Sequence, residues 1–197
     1  MSSEKRDTRA RILRAAVELL ESGTGGAVRM SDIAKTAGIS RQAVYLHFPK
    51  RADLLIAATR YLDEKNDVDA RLEKSRTAQT GVERLDAWVE VWGNYIPEIY
   101  GIGKALMAMM DSDEEARAAW DDRMQAVRHG CAAAVRDLAR DGQLAPRLSE
   151  AKATDLLWTL LSVRNWAQLR HECGWTQEEY VTHMKGLARV SLCKAKS

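Results

Sequence analysis

Four side chains within seven residues, Arg41, Gln42, Tyr45 and His47, carry the most legible chemistry in this sequence. An arginine can bridge O6 and N7 of guanine and a glutamine N6 and N7 of adenine, while a phenol hydroxyl or an imidazole can bind phosphate oxygens. Val44 and Phe48, four residues apart, would turn inward on a short helix and leave those polar groups outside. Catalysis finds no comparable set. His171-x-Cys173 with a distant His183 lacks the paired spacing of a zinc site. No strand precedes Gly101-Ile102-Gly103-Lys104 to make a phosphate loop, and Ser149, three residues before Lys152, suits a helix cap better than a nucleophile. Spacing yields no catalytic set, no metal site and no cofactor motif, so a binding protein is expected rather than an enzyme.

The polar quartet needs a helix held from behind. Ile12, Leu13, Ala16, Val17, Leu19 and Leu20 recur at helical spacing over residues 7–22, and Gly23-Thr24-Gly25-Gly26 is expected to stop that helix. A short unit over 31–37 turns Ile33 and Ala34 inward, Gly38 supplies a tight turn, and Ser40 is placed to cap the helix 41–48. Pro49 ends that helix, and another runs over 51–64 with Leu54, Leu55, Ala58 and Leu62 inward. Two short helices joined at Gly38 and preceded by a longer striped one form a helix-turn-helix pattern. By spacing alone, a purely structural helical hairpin is an equal reading. The exposed Arg, Gln, Tyr and His favour nucleic acid.

Composition agrees with this division. The chain has 197 residues, 46% hydrophobic and 29% charged, with three Pro and one Phe, which excludes a disordered chain and favours an all-α fold. Residues 1–60 hold 11 Lys/Arg against 6 Asp/Glu and the remainder 19 against 22, and all six Trp follow residue 80. A basic module therefore precedes an acidic, aromatic-rich one. Three scattered Cys make no disulfide framework, and no signal peptide or membrane span is visible. A cytoplasmic protein without a membrane partner is expected.

The run Ile33-Ala34-Lys35-Thr36-Ala37-Gly38-Ile39-Ser40, continued by Val44-Tyr45-Leu46-His47-Phe48-Pro49-Lys50-Arg51-Ala52-Asp53-Leu54-Leu55, resembles the DNA-binding domain of TetR/AcrR-type transcriptional regulators. The likeness covers about the first 60 residues; the remainder agrees only in length and helix count. It implies a DNA-binding domain over residues 1–64, a helical effector-binding and dimerisation domain over 65–197, about nine helices, and a homodimer on a palindromic duplex operator. It also implies Arg41, Gln42 and Ala43 at base-facing positions and Tyr45, His47 and Arg51 at phosphates, with Ser40 as a cap that can also touch one. Arg29, Ser31 and Lys50 complete the expected DNA-contacting set. Two departures stand out, because Arg29 occupies a position where the family usually has a capping Thr, and Lys50 one where it usually has Ser.

Beyond residue 80 the caps are plain. Thr80 with Glu83, Ser112 with Glu115 and Thr176 with Glu179 have capping-box spacing, and helices are expected over 80–96, 98–110, 112–141, 149–172 and 176–193. Residues 65–79 receive no assignment. Trp88, Trp92 and Tyr95 share one helix face, and Met107, Met110 and Met124 follow; both core packing and the wall of an effector pocket fit these residue types. The helix 149–172 is apolar nearly all round, so it must be covered on both sides. Leu157, Leu161, Arg164, Tyr180, Met184, Leu187 and Ser191 are the expected interface with a second copy. The leading reading is a ligand-responsive regulator, a repressor released by a small apolar or aromatic molecule. A helical enzyme or carrier with a vestigial DNA module, and a DNA-binding protein without effector, are the alternatives.

Overall fold

A computed structural model describes residues 3–22 and 28–195; the expected stop at Gly23–Gly26 lies outside these residues. Among the described residues the secondary structure is all α. In chain order the helices are α1 (Ser3–Glu21), α2 (Met30–Ala37), α3 (Arg41–His47), α4 (Arg51–Lys65), α5 (Val68–Arg76), α6 (Gly81–Met109), α7 (Glu114–Arg140), α8 (Glu150–Leu160), α9 (Val163–Ala167) and α10 (Gln177–Leu192), with a π-helical turn Gln168–Glu172 between α9 and α10. The chain forms two compact units. One is Met1–Asp67 with Ile99–Met124, the other Val68–Glu98 with Gln125–Ser197.

In the first unit α1 buries Ile12, Leu13, Ala16 and Leu20, α2 buries Ile33 and Ala34, and α4 buries Leu54, Leu55 and Ala58. Val44 and Phe48 are buried at the two ends of α3's inner face, as their spacing predicts. Fully burying a side chain of this size contributes roughly 1.5–3 kcal/mol. A seven-residue helix is too short to stand alone, so this packing decides whether α3 exists.

In the second unit Pro97 does not break its helix, contrary to expectation, and α6 runs through it. A proline lacks the N–H that would bond the carbonyl four residues back, leaving the Gly93 oxygen without its helical donor. The Gln177 side chain supplies one at 2.8 Å. The Gln177 amide oxygen in turn accepts the Trp166 indole N–H at 3.0 Å. The helix expected over 149–172 is instead broken after Leu161. Ser162 caps α9 by accepting from Asn165 N–H at 3.1 Å, and the Leu161 carbonyl takes the Trp92 indole N–H at 2.8 Å.

Two capping boxes form as spaced. Thr80 accepts from Glu83 N–H at 3.2 Å while Glu83 accepts from Thr80 N–H at 3.1 Å, and the pair Thr176 and Glu179 does likewise at 3.1 and 2.7 Å. The third does not form. Asp113, not Ser112, accepts the Glu115 and Ala116 N–H groups at 3.1 and 3.0 Å, leaving the Glu115 carboxylate free for another partner. The unassigned stretch after residue 65 contains α5, which has no apolar stripe and is tied by charge: Arg71 pairs with Glu98, Lys74 with Glu90 and Arg76 with Asp69.

Candidate nucleic-acid interface

The turn that aims α3 is built from two local devices and one contact from α1. Gly38 adopts φ 64°, ψ 39°, a left-handed conformation that only glycine reaches without strain. From there its N–H reaches Lys35 O at 3.1 Å and the Ile39 N–H reaches Ala34 O at 3.0 Å, closing the end of α2. Arg11 of α1 adds a cation at that helix C-terminus, donating to Ala37 O at 2.7 Å. Nothing in the spacing of α1 singled out Arg11 for this. Ser40 accepts from Ala43 N–H at 3.1 Å and starts α3, a cap worth about 1 kcal/mol.

With Val44 turned in, α3 presents Arg41, Gln42 and Tyr45 to the exposed side, with Ala43 and His47 half-buried at its edges. The Arg41 guanidinium lies 5.5 Å from the centre of the Tyr45 ring and donates to its hydroxyl at 3.3 Å. Leu46, 76% exposed, is an apolar member of this face that the polar pattern did not reveal. At the other end of α3, His47 is held below the ordinary imidazole range by partial burial, then by the charges of Lys5 and Arg9. Arg9 also lies over the Phe48 ring, 5.0 Å from its centre.

Beside α3 is an open depression of about 680 Å³ lined by Arg29, Ser31, Arg41, Tyr45, Lys50, Arg51 and Glu115, among others. Arg29 starts α2 without a side-chain cap; its own N–H donates to Asp32 at 3.3 Å. Lys50 starts α4, also without one. Arg51 differs from its neighbours. Only 12% of its side chain is exposed, and it donates to Val28 O, to Asp113 and to Glu115, with Asp113 2.9 Å away. As placed, this guanidinium ties α4 to the start of α7 through an internal ion pair.

The expected effector and dimer residues distribute unevenly. Trp88, Trp92 and Tyr95 belong to the second unit and are buried there, Trp92 by way of its bond to Leu161. Met107 and Met110 are half-buried in the first unit and Met124 is buried in it. Among the expected dimer residues, Leu157, Leu161, Tyr180 and Met184 are at most 3% exposed, which corrects the choice of stripe: they face their own unit. Arg164 and Leu187 are exposed and Ser191 is half-buried. Leu156, Leu187 and Val190, at 49, 46 and 79% exposure, are the apolar groups α8 and α10 turn outward.

Among the described residues no group of three His, Cys, Asp or Glu is placed to hold a metal, and no helix is long and apolar enough to cross a membrane. His171 lies edge-on to Trp166 and His183 against Trp175.

Residues 12–58 match the model of bacterial regulatory proteins of the tetR family. The chain is similar to the HTH-type transcriptional regulator CymR of Pseudomonas putida, 27% identical over 82% of this chain and 78% of that protein. It is also similar to the nucleoid occlusion factor SlmA of Marinobacter nauticus, 24% identical over 83% and 85%. Its fold is that of the transcriptional regulator FadR from Bacillus subtilis, solved in complex with stearoyl-CoA, with a TM-score of 0.71 at 16% identity over 90% of this chain and 96% of that one. The helix-turn-helix with its polar outer face is matched over residues 12–58 by the model of the tetR family of bacterial regulatory proteins, and the chain as a whole is similar to DNA-binding transcriptional regulators and shares their helical fold.

Proposed function

We propose that this regulator binds a palindromic duplex operator as a homodimer and is released from it by a small apolar or aromatic molecule. The single observation that carries the reading is the outer face of α3, where Arg41 and Gln42 can read base edges in the major groove. Ala43 and Leu46 suit the thymine methyl group. Tyr45 and His47 on that helix and Ser31, Arg29 and Lys50 near it serve as phosphate partners, and Ser40 holds its start. This division between reading and anchoring fixes register through the backbone and sequence through the groove.

Dimerisation is assigned to the outward faces of α8 and α10, where Leu156, Leu187 and Val190 accompany an open depression of about 710 Å³ lined by Arg147, Leu148, Lys152, Leu160 and Ser191, among others. Exposed apolar side chains beside an open depression suit an association site. Effector recognition is assigned first to Met107, Met110 and Met124, whose side chains repack at little cost and belong to the unit that carries α3. Within the second unit, Trp88, Trp92 and Tyr95 serve an effector only if it displaces packed contacts. The stearoyl-CoA of Bacillus subtilis FadR supports an effector with a long apolar part.

Selection of duplexes from a random pool tests the reading: enrichment of an inverted repeat with half-sites about 34–36 Å apart, or a multiple of that, supports it. Recovery of no sequence preference from a monomeric protein refutes it. Apolar compounds that raise the melting temperature should also lower operator affinity. Operator binding indifferent to every stabilising compound would favour effector-independent DNA binding.

A further inference from the structure

The depression beside α3 holds four cations, Arg29, Arg41, Lys50 and Arg51, and a single carboxylate, Glu115. That carboxylate comes from the first turn of α7, outside the helix-turn-helix. Its Oε1 accepts the Ala52 N–H at 3.2 Å and its Oε2 lies 3.3 Å from the Arg51 guanidinium. Ala52 is the second residue of α4, a helix whose first residue follows Lys50, which provides no cap of its own. The missing cap is therefore supplied from α7. Helix N-termini and arginines are also the groups that seat a phosphate, because both present N–H donors and positive potential.

We propose that Glu115 is an internal stand-in for a DNA phosphate, occupying the start of α4 when the protein is free and displaced by the operator backbone when it binds. Three features support it. The carboxylate makes the same contacts a phosphodiester oxygen would make, a backbone N–H at a helix start and a guanidinium. Its side chain is 45% exposed, so it can leave, whereas Asp113 at 16% keeps the structural tie to Arg51 at 2.9 Å. Asp113 is held further by two N–H groups of α7, which Glu115 lacks. One carboxylate thus fastens the two elements while its neighbour covers the seat. An anion placed among phosphate-binding cations weakens their attraction for DNA, and removing it restores that attraction.

This inference rests on the operator-binding reading above. Its test compares the full-length protein with Glu115→Gln and Glu114→Gln on one selected operator duplex at fixed salt. Glutamine keeps an oxygen for the Ala52 N–H and removes the charge. Glu114 is exposed on the same turn but does not line the depression, so its variant reports the effect of one fewer negative charge nearby. Glu115→Gln should tighten operator binding about 3- to 10-fold, Glu114→Gln less than about 2-fold, as expected for a carboxylate acting at contact distance rather than through screened solvent. Equal gains in the two variants, no gain in Glu115→Gln, or a loss of affinity in a variant that melts like the parent would each overturn the proposal while leaving operator binding intact. Failure of the parent protein to bind any selected duplex would instead remove the reading beneath it.

Discussion

The helix-turn-helix segment and the second unit use polar groups in opposite ways. On α3 itself the contacts that set the site are local: Ser40 caps a residue three positions on, and Arg41 meets a tyrosine four positions on. In the second unit the corresponding contacts join distant parts of the chain, Trp92 to a carbonyl 69 residues away and Gln177 to one 84 residues away. The first arrangement leaves donors and cations free for another molecule. The second turns them inward to repair breaks in the helices. Polar groups near a site therefore serve function where local geometry already satisfies the backbone, and serve the fold where it does not.

Arg51 is where the contrast is most exposed to failure, because it sits in the DNA-binding segment yet is bonded 62 residues away to Asp113. Both partners are largely buried, so removing the cation leaves a carboxylate uncompensated, a change that typically costs about 3–5 kcal/mol. Arg51→Ala should lower the melting temperature strongly and lose operator binding for that reason. Chemical denaturation with and without the substitution measures it. A variant as stable as the parent but weaker on every DNA sequence would make phosphate contact, rather than the tie to Asp113, the main role of Arg51.

The second unit offers the reciprocal case, a residue with no polar chemistry whose identity is fixed at long range. A Cβ at Gly130 would lie 2.0 Å from the Trp88 ring. Gly130→Ala should destabilise the protein by about 1–3 kcal/mol through overpacking, although alanine is otherwise the better helix residue by roughly 1 kcal/mol. Trp fluorescence during unfolding reports both the shift in midpoint and the altered indole environment. If the variant is as stable as the parent, the ring repacks freely and the second unit is softer than its buried contacts imply, which would favour Trp88 as an effector wall.

These two residues also show what was legible in the sequence. The turn at Gly38, the cap at Ser40 and the buried pair Val44 and Phe48 were readable because each depends on spacing within about ten residues. Continuation of α6 through Pro97 was not, since the donor that replaces the missing N–H is Gln177, far along the chain. The break after Leu161 was hidden in the same way, because an unbroken apolar pattern carries no sign that Ser162 will cap and that an indole will take the freed carbonyl. The inward turn of four of the seven residues expected at the dimer interface was hidden for a related reason. An all-round apolar helix states that two sides are covered, but not which side faces its own unit, and Leu157, Leu161, Tyr180 and Met184 are on the inner one. Arg51 combined both difficulties, as its type and position suggested a phosphate while the carboxylates that engage it lie beyond the motif.

On the exposed face of α3 the effects should be specific rather than structural. Arg41→Ala is expected to leave the melting temperature nearly unchanged, weaken operator binding by about 1–3 kcal/mol and relax preference at one base pair. Lys50→Ala should weaken all sequences alike and reduce the slope of log affinity against log salt by roughly one. Titrations on operator and scrambled duplexes at several salt concentrations separate the two outcomes. Identical behaviour of both variants would erase the distinction between reading and anchoring residues.

The smallest expected effect concerns His47. Partial burial, Lys5 and Arg9 hold its pKa below the ordinary value, so the free protein carries a neutral imidazole at pH 7. Folding stability from this group is complete above the unfolded value of roughly 6.5. It is lost as pH falls through the lowered folded value, because the unfolded chain takes up the proton more readily. DNA binding should run the other way. A phosphate oxygen beside the imidazole favours its protonated form and raises its pKa in the complex, so operator affinity should rise as pH falls from about 7.5 to 6. Raising the pKa by one unit on binding limits the gain to about tenfold. His47→Gln should flatten that dependence while preserving sequence preference, a result that parallel titrations at each pH would show directly. A pH dependence unchanged by the substitution would place the titrating group elsewhere and leave His47 as the edge of the α3 packing against Arg9 and Phe48.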